Sequence, residues 1–395
     1  MQTVLDFIPF KDVWNNYIYL DNEHIVGGVK VSSINLSFLF NEEQDIKVSQ
    51  LKKVLNSIDY KFKIFCIDKP INLDNNLNKL GAKIKKEKNI YKQKILQEDY
   101  DFINSLNNGK SVVNREFYLI IEEESINENL LNQKLNSLIQ EFSSIGMSCE
   151  KVTSEEWRDL LFIILNPVSS VDIFKNDGTS INRSFKEKIA PKGLKIGEKD
   201  IIFGDSYISV ITLLSYPSLV NNCWLGTLAN VPHTRMVMSI SPMNTQDISN
   251  TLKKSISELK SKMININDYN DQILFNNQLQ DMVELVNRID REHEKFAMMN
   301  VNFLCYGDSK ESLEKTKKEL KLTLNSYGFG GSELMFEQEK VLQSIIPIFP
   351  KQDIETRIGT PIPSITVAAM YPFVFDSIKD PGNATLFGVD FSGGV

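Results

Sequence analysis

Three histidines and four cysteines in 395 residues leave little material for a metal centre or a thiol enzyme. Cys66, Cys149, Cys223 and Cys305 are far apart and form no C-x-x-C pair of the kind zinc and redox sites use. Cys66 and Cys305 fall in apolar, strand-like runs, so they read as buried free thiols suited to a reducing compartment. Long apolar runs are missing too. The stretch Leu160 to Leu165 falls far short of the roughly 18–20 residues that cross a bilayer. The start, Met1-Gln2-Thr3-Val4-Leu5-Asp6, has no basic region ahead of an apolar one and does not read as a signal peptide. A basic excess is also absent. The formal net charge of −7 argues against a protein devoted to coating nucleic acid, because phosphate contacts need a positive surface.

Catalytic motifs are incomplete wherever they begin. Gly109-Lys110-Ser111 has the end of a phosphate-binding loop, but the required earlier glycine is Asn104, and the segment follows a helix-like stretch rather than a strand. It reads as an exposed turn. Gly328-Phe329-Gly330-Gly331 follows a helix and is too short for a dinucleotide fingerprint. In Glu292-His293-Glu294, the position four beyond the histidine is Ala297, so no second zinc ligand follows. A solvated helix face suits it better, with Glu284–Arg288 and Arg288–Glu292 as supporting pairs. No catalytic, cofactor-binding or metal-ligating residue is assigned, and no enzymatic activity is expected of these residues alone.

What is present is α/β patterning. Tyr17 to Leu20, a turn at Asp21-Asn22 and a return strand over His24 to Val31 form a hairpin pattern. Helices are expected over Glu42 to Ile58, in much of 72–107, and over Thr153 to Leu165. Phe62 to Ile67 reads as a strand, and Phe117, Leu119 and Ile121 alternate along another. Leu130, Leu131, Leu135, Leu138, Ile139 and Phe142 share one helical face that Gly146 stops. Further on, Met236, Met238 and Ile240 share a strand face, and Ile248, Leu252, Ile256, Leu259 and Met263 form an amphipathic stripe. A second long helix is expected over about 271–297, and Met299 to Cys305 alternate along a strand. Asp308 with Glu311 suggests a capping box for a helix that Gly328 ends.

The two halves follow the same plan, with Gly146 and Pro167 answered by Gly328 and Pro347. The order β-α-β-β-α-β is that of a split βαβ unit. The expected fold is α+β: two tandem ferredoxin-like domains over 1–167 and 200–349, joined by a linker over 168–199. An extended connector over 350–395 would then start a third domain, since the chain stops at Ser392-Gly393-Gly394-Val395 within a hairpin-like run.

Several segments resemble the N-terminal, non-motor part of the TraC/TraE-like (VirB-type) conjugation and type IV secretion ATPases. In the first half these are Thr3 to Pro9, Val31 to Asn35 and Val112 to Ile120. The second half has Tyr216-Pro217, Trp224-Leu225 with Leu228, Ser239 to Pro242, Glu292 with Phe296, Gln338, Pro347 and Tyr371-Pro372-Phe373. The resemblance implies docking and assembly, coupling a RecA-like motor to inner-membrane channel components for DNA or protein transfer. It also implies a homo-oligomer of the full-length protein, located in the cytoplasm at the inner face of the membrane. ATP is expected only at the absent motor, because this chain lacks the Walker A and Walker B motifs. From the residues themselves, Trp224, Leu225 and Leu228 read as an apolar anchor and Gln338 as a surface or capping group. The alternative to this reading is a stand-alone nucleic-acid-binding module. Its candidate surface is the run Lys83, Lys85, Lys86, Lys88, Lys92 and Lys94 with Tyr91, which suits nucleic acid, acidic lipid or simple solvation.

Overall fold

The computed structural model describes residues 4–33, 39–70, 73–109, 113–169, 184–217, 222–263, 269–349 and 357–374. The first half runs α1 (Val4–Phe7), β1 (Phe10–Trp14), β2 (Tyr17–Leu20), β3 (Ile25–Val31), α2 (Asn41–Ser57), β4 (Phe62–Pro70), α3 (Asp74–Lys86), α4 (Ile90–Gly109), β5 (Val113–Glu123), α5 (Glu128–Ser144), β6 (Cys149–Lys151) and α6 (Ser154–Leu165). The second half repeats that order as α7 (Phe185–Ile189), β7 (Leu194–Ile196), β8 (Ile201–Phe203), β9 (Ser206–Ser215), α8 (Trp224–Leu228), β10 (Thr234–Pro242), α9 (Thr245–Met263), α10 (Tyr269–Glu292), β11 (Phe296–Gly307), α11 (Lys310–Ser326), β12 (Gly330–Glu333) and α12 (Gln338–Ile345). Each element thus recurs in the other half, six places later in its series. A connector adds β13 (Thr360–Pro363) and α13 (Ser364–Met370).

All the described strands join one sheet, ordered β1-β2-β3-β5-β4-β10-β11-β9-β8-β7, with β6 on β3, β12 on β9 and β13 on β11. The order β6-β3-β5-β4 is the ferredoxin-like arrangement, and β12-β9-β11-β10 repeats it. The two units meet where β4 pairs antiparallel with β10, from Phe62–Ile240 to Cys66–Met236.

Two apolar layers follow from side-chain alternation. Phe117, Leu119 and Ile121 enter one core with α2, α5, α8, α11 and α13, while Tyr118 and Ile120 enter the other with α6, α7 and α12. With both faces covered, β5 reads as an almost continuous apolar run. The helix stops anticipated at Gly146 and Gly328 form as a matched pair at positive φ, +87° and +78°. Met147 and Phe329 donate back to the Phe142 and Leu324 carbonyls at 3.2 and 2.9 Å, so both ends are Schellman caps.

Some details differ from the sequence reading. The N-cap before α11 is Ser309, whose hydroxyl accepts from Ser312 N; no box forms at Asp308 and Glu311. Within 168–199, residues 170–183 lie outside the described ones, but α7 and β7 are regular and Ile189 is buried. The run from Leu386 to Val395 also lies outside them.

Two outcomes follow. A Cβ on Gly28 would lie 2.7 Å from Cζ2 of the buried Trp157. Gly28→Ala is therefore expected to lose about 1–3 kcal/mol in denaturant unfolding. Gly193→Ala, where nothing lies within 4 Å, is expected to leave stability unchanged. Second, burial pushes the Glu333 carboxyl up, but hydrogen bonds from Lys321 and Lys317 outweigh it and bring it to about 2. Such a group stabilises above its unfolded value of about 4.3, and that contribution is lost as pH falls toward the folded value. Glu333→Gln should flatten the stability slope between those two pH values in acid titrations.

Candidate functional site

The seam between the halves is tied by charged side chains that cross it. Lys63 of β4 is fully buried, and its Nζ donates at 2.7 Å to the Ser344 carbonyl in the last turn of α12. Arg235 of β10 answers from the other side: its Nη1 donates at 2.6 Å to the Ile163 carbonyl in the last turn of α6. Each cation also lies over a ring, Lys63 over Phe349 at 5.1 Å and Arg235 over Tyr306 at 4.9 Å. Cations suit helix C-termini, where carbonyls lack partners and the helix dipole is negative. Nearby, Arg115 grips Asp68 with a two-pronged contact at 2.7 and 2.9 Å and also reaches Asn230 of the second half.

On the opposite face the connector lies across the same seam. Glu294, just past α10, is 1% exposed. Its Oε1 accepts from Ser364 Oγ at 2.5 Å and Ile365 N at 3.0 Å, so it caps α13, whose own N-cap residue is Pro363. Its Oε2 pairs with Lys52 of α2 at 2.5 Å. One carboxylate therefore joins the first half, the second half and the connector. Beyond α13, Phe373 packs edge-on against Phe117 and Phe142 at 5.7 and 5.8 Å, and the Tyr371 hydroxyl reaches Met147 Sδ at 3.8 Å. On the other side of the seam, Cys223 N donates to Ala369 O at 2.7 Å. A cleft of about 490 Å³ opens beside α13, lined by Asn56, Phe62, Met243, Lys295 and Val367 among others.

The residues singled out in the sequence fall into separate places. Trp224 stacks on Phe329 with centroids 4.1 Å apart, and Tyr216 meets the same ring edge-on at 6.1 Å. Pro217 abuts Gly328, while Leu225 and Leu228 are fully buried in the same core. Pro347 and Pro372 are buried. Gln338 is not at the surface. It is fully buried, its Oε1 accepting from Val210 N at 2.9 Å and its Nε2 donating to Val210 O at 3.3 Å. Its amide thus bridges the gap along β9 between β8 and β12. The six lysines lie far from all of these, at the turn between α3 and α4.

The look-alike motifs resolve differently. Gly109 ends α4, and Lys110 and Ser111 lie outside the described residues. Arg288 pairs with Glu284 as expected, but α10 stops at Glu292, His293 turns at φ +54°, and Glu294 is buried rather than solvated. Among the described residues no group of three His, Cys, Asp or Glu side chains could hold a metal ion. Sequence reading missed Lys63, Arg235, Lys52 and Glu294, because their partners lie far away in the chain and no local pattern marks them.

Two substitutions probe this site. Trp224→Ala is expected to cost about 3–5 kcal/mol in thermal or denaturant unfolding; an unchanged melting curve would place the indole on a partner surface. Glu294→Ala leaves Lys52 unpaired and α13 uncapped. Amides of residues 364–371 should then exchange hydrogen much faster, while those of β5 keep their protection.

Residues 11–167 match a TraC-like family model, described as an archaeal TraC-like domain. The chain is also similar to an uncharacterized protein of Bacillus anthracis, 23% identical over 211 residues, covering 53% of this chain and 32% of that protein. It thus spans about a third of the length of that relative. Sequence motifs are denser in the second half, yet the family match lies in the first. The matched stretch opens within β1 and closes just past α6, so the similarity falls on the first ferredoxin-like unit.

Proposed function

We propose that this chain is the docking and assembly region of a conjugation ATPase that works with a type IV secretion channel. The observation that carries the reading is the TraC-like match over residues 11–167. The architecture suits it: one sheet spans both halves, both its faces are covered, and the helical pairs α3–α4 and α9–α10 extend from equivalent connections. In this reading the output is contact. Nucleotide chemistry belongs to a RecA-like motor outside these residues, with ATP as that motor's ligand. The partners are inner-membrane components of the channel and further copies of the full-length protein, and the place of work is the cytoplasmic face of the membrane. No helix among the described residues is long and apolar enough to cross a membrane.

The test is a mating assay in a host that carries the gene on its own mobile element. Deletion should abolish transfer and the full-length gene should restore it; undiminished transfer after deletion contradicts the reading. The isolated chain is expected to turn over no ATP. Turnover abolished by Lys110→Ala would place a working phosphate loop at Gly109-Lys110-Ser111 and overturn that part.

A further inference from the structure

We infer that the tip of the α3–α4 hairpin is a contact surface for an anionic lipid bilayer. The inference stands on the hairpin's own surface and does not need the conjugation reading. Residues 83–94 hold six lysines and one acid, Glu87, in a chain whose net charge is −7. The carboxylate of Glu87 is held by the backbone N–H groups of Lys88 and Asn89, both at 2.9 Å. Among the described residues none of the six lysines forms an ion pair, although Lys92 lies near enough to Glu87 to help lower its pKa.

Three large apolar side chains stand among those lysines, at the start of α4. Ile90 is 78% exposed, Tyr91 83% and Ile95 59%. The hairpin has a separate small core of Leu73, Leu77 and Ile103 at the opposite end, so these three are not needed to hold it together. The acids of α4, Glu98, Asp99 and Asp101, lie further from the tip. Charge is therefore polarised along the arm, positive and apolar at the end, negative toward the sheet.

That combination selects the partner. Lysines gain from the negative potential of anionic headgroups, while aliphatic side chains and a tyrosine bury in the interfacial region. Nucleic acid would use the lysines and stack on Tyr91 but has no use for two exposed isoleucines. The acids nearer the sheet are repelled by the same surface, which favours an end-on approach.

The test is flotation of the full chain with vesicles. Phosphatidylcholine vesicles should leave the protein behind, and a phosphatidylcholine–phosphatidylglycerol mixture should carry it up. Each lysine lost should weaken binding about five-fold. Lys85→Glu, Lys86→Glu and Lys92→Glu combined should abolish flotation, and Ile90→Ser with Tyr91→Ser and Ile95→Ser should do so independently. All six side chains are exposed, so melting curves should not change. As a readout that needs no loss of binding, Tyr91→Trp should add a blue-shifted emission with the anionic vesicles alone. Equal binding to both vesicle types, no binding to either, or flotation unaffected by either triple variant overturns the inference. Capture of a single-stranded oligonucleotide that the lysine variant loses and a double variant, Ile90→Ser with Ile95→Ser, keeps also overturns it, and assigns the tip to nucleic acid.

Discussion

The structure depends on two buried cations that cross the seam in opposite directions. Taking an ammonium or guanidinium out of water costs several kcal/mol unless oxygen acceptors replace the solvent. Here the acceptors are the end carbonyls of a helix in the other half: Ser344 for Lys63 and Ile163 for Arg235. Either half alone would keep one of these cations and lose its acceptor. The separated halves would thus each hold a charged strand edge without the group that offsets its burial. This reciprocity joins two ferredoxin-like units into one sheet, thirteen-stranded among the described residues, and fixes the register at which β4 meets β10.

The connector reinforces the same seam from the opposite face. α8 is only five residues long, against seventeen for its counterpart α2, so the second half covers less of its own sheet. α13 packs against both α8 and α2, while Tyr371 and Phe373 carry the connector onto the first half, against Met147, Phe117 and Phe142. Glu294 explains why the connector holds its place: it supplies the cap that Pro363 cannot and takes Lys52 as counter-ion. A rigid body closed on both faces, with two helical arms extending from equivalent loops, can hold partners at fixed distances. The proposed docking role would use that geometry.

Much of the fold is legible in the sequence because its signals are local. Alternation of Phe117, Leu119 and Ile121, and the paired stops at Gly146 and Gly328, are enough to suggest a duplicated β-α-β-β-α-β unit. The joining of the units is not legible, since β4 and β10 carry no mark of which edge meets which. A lysine near the start of a strand, as at Lys63, reads as exposed unless the distant α12 is known. Glu294 looks solvated because it follows a polar helix, and only its meeting with Lys52 and Ser364 shows otherwise. Gln338 reads as a surface or capping group, but its bond to Val210 depends on a gap in the strand ladder that no spacing foretells. The lysine run is visible as composition, while its place at the end of an arm beside three exposed apolar side chains is a property of the fold.

The central claim is that the halves are one cooperative body locked by Lys63 and Arg235. Hydrogen exchange of the full chain carrying Lys63→Ala tests it most directly, with amides of β5 reporting the first half and those of β11 the second. The account predicts that protection falls in both strands together and by the same factor, with a single unfolding transition. A loss confined to one half, or two separate transitions, would contradict it.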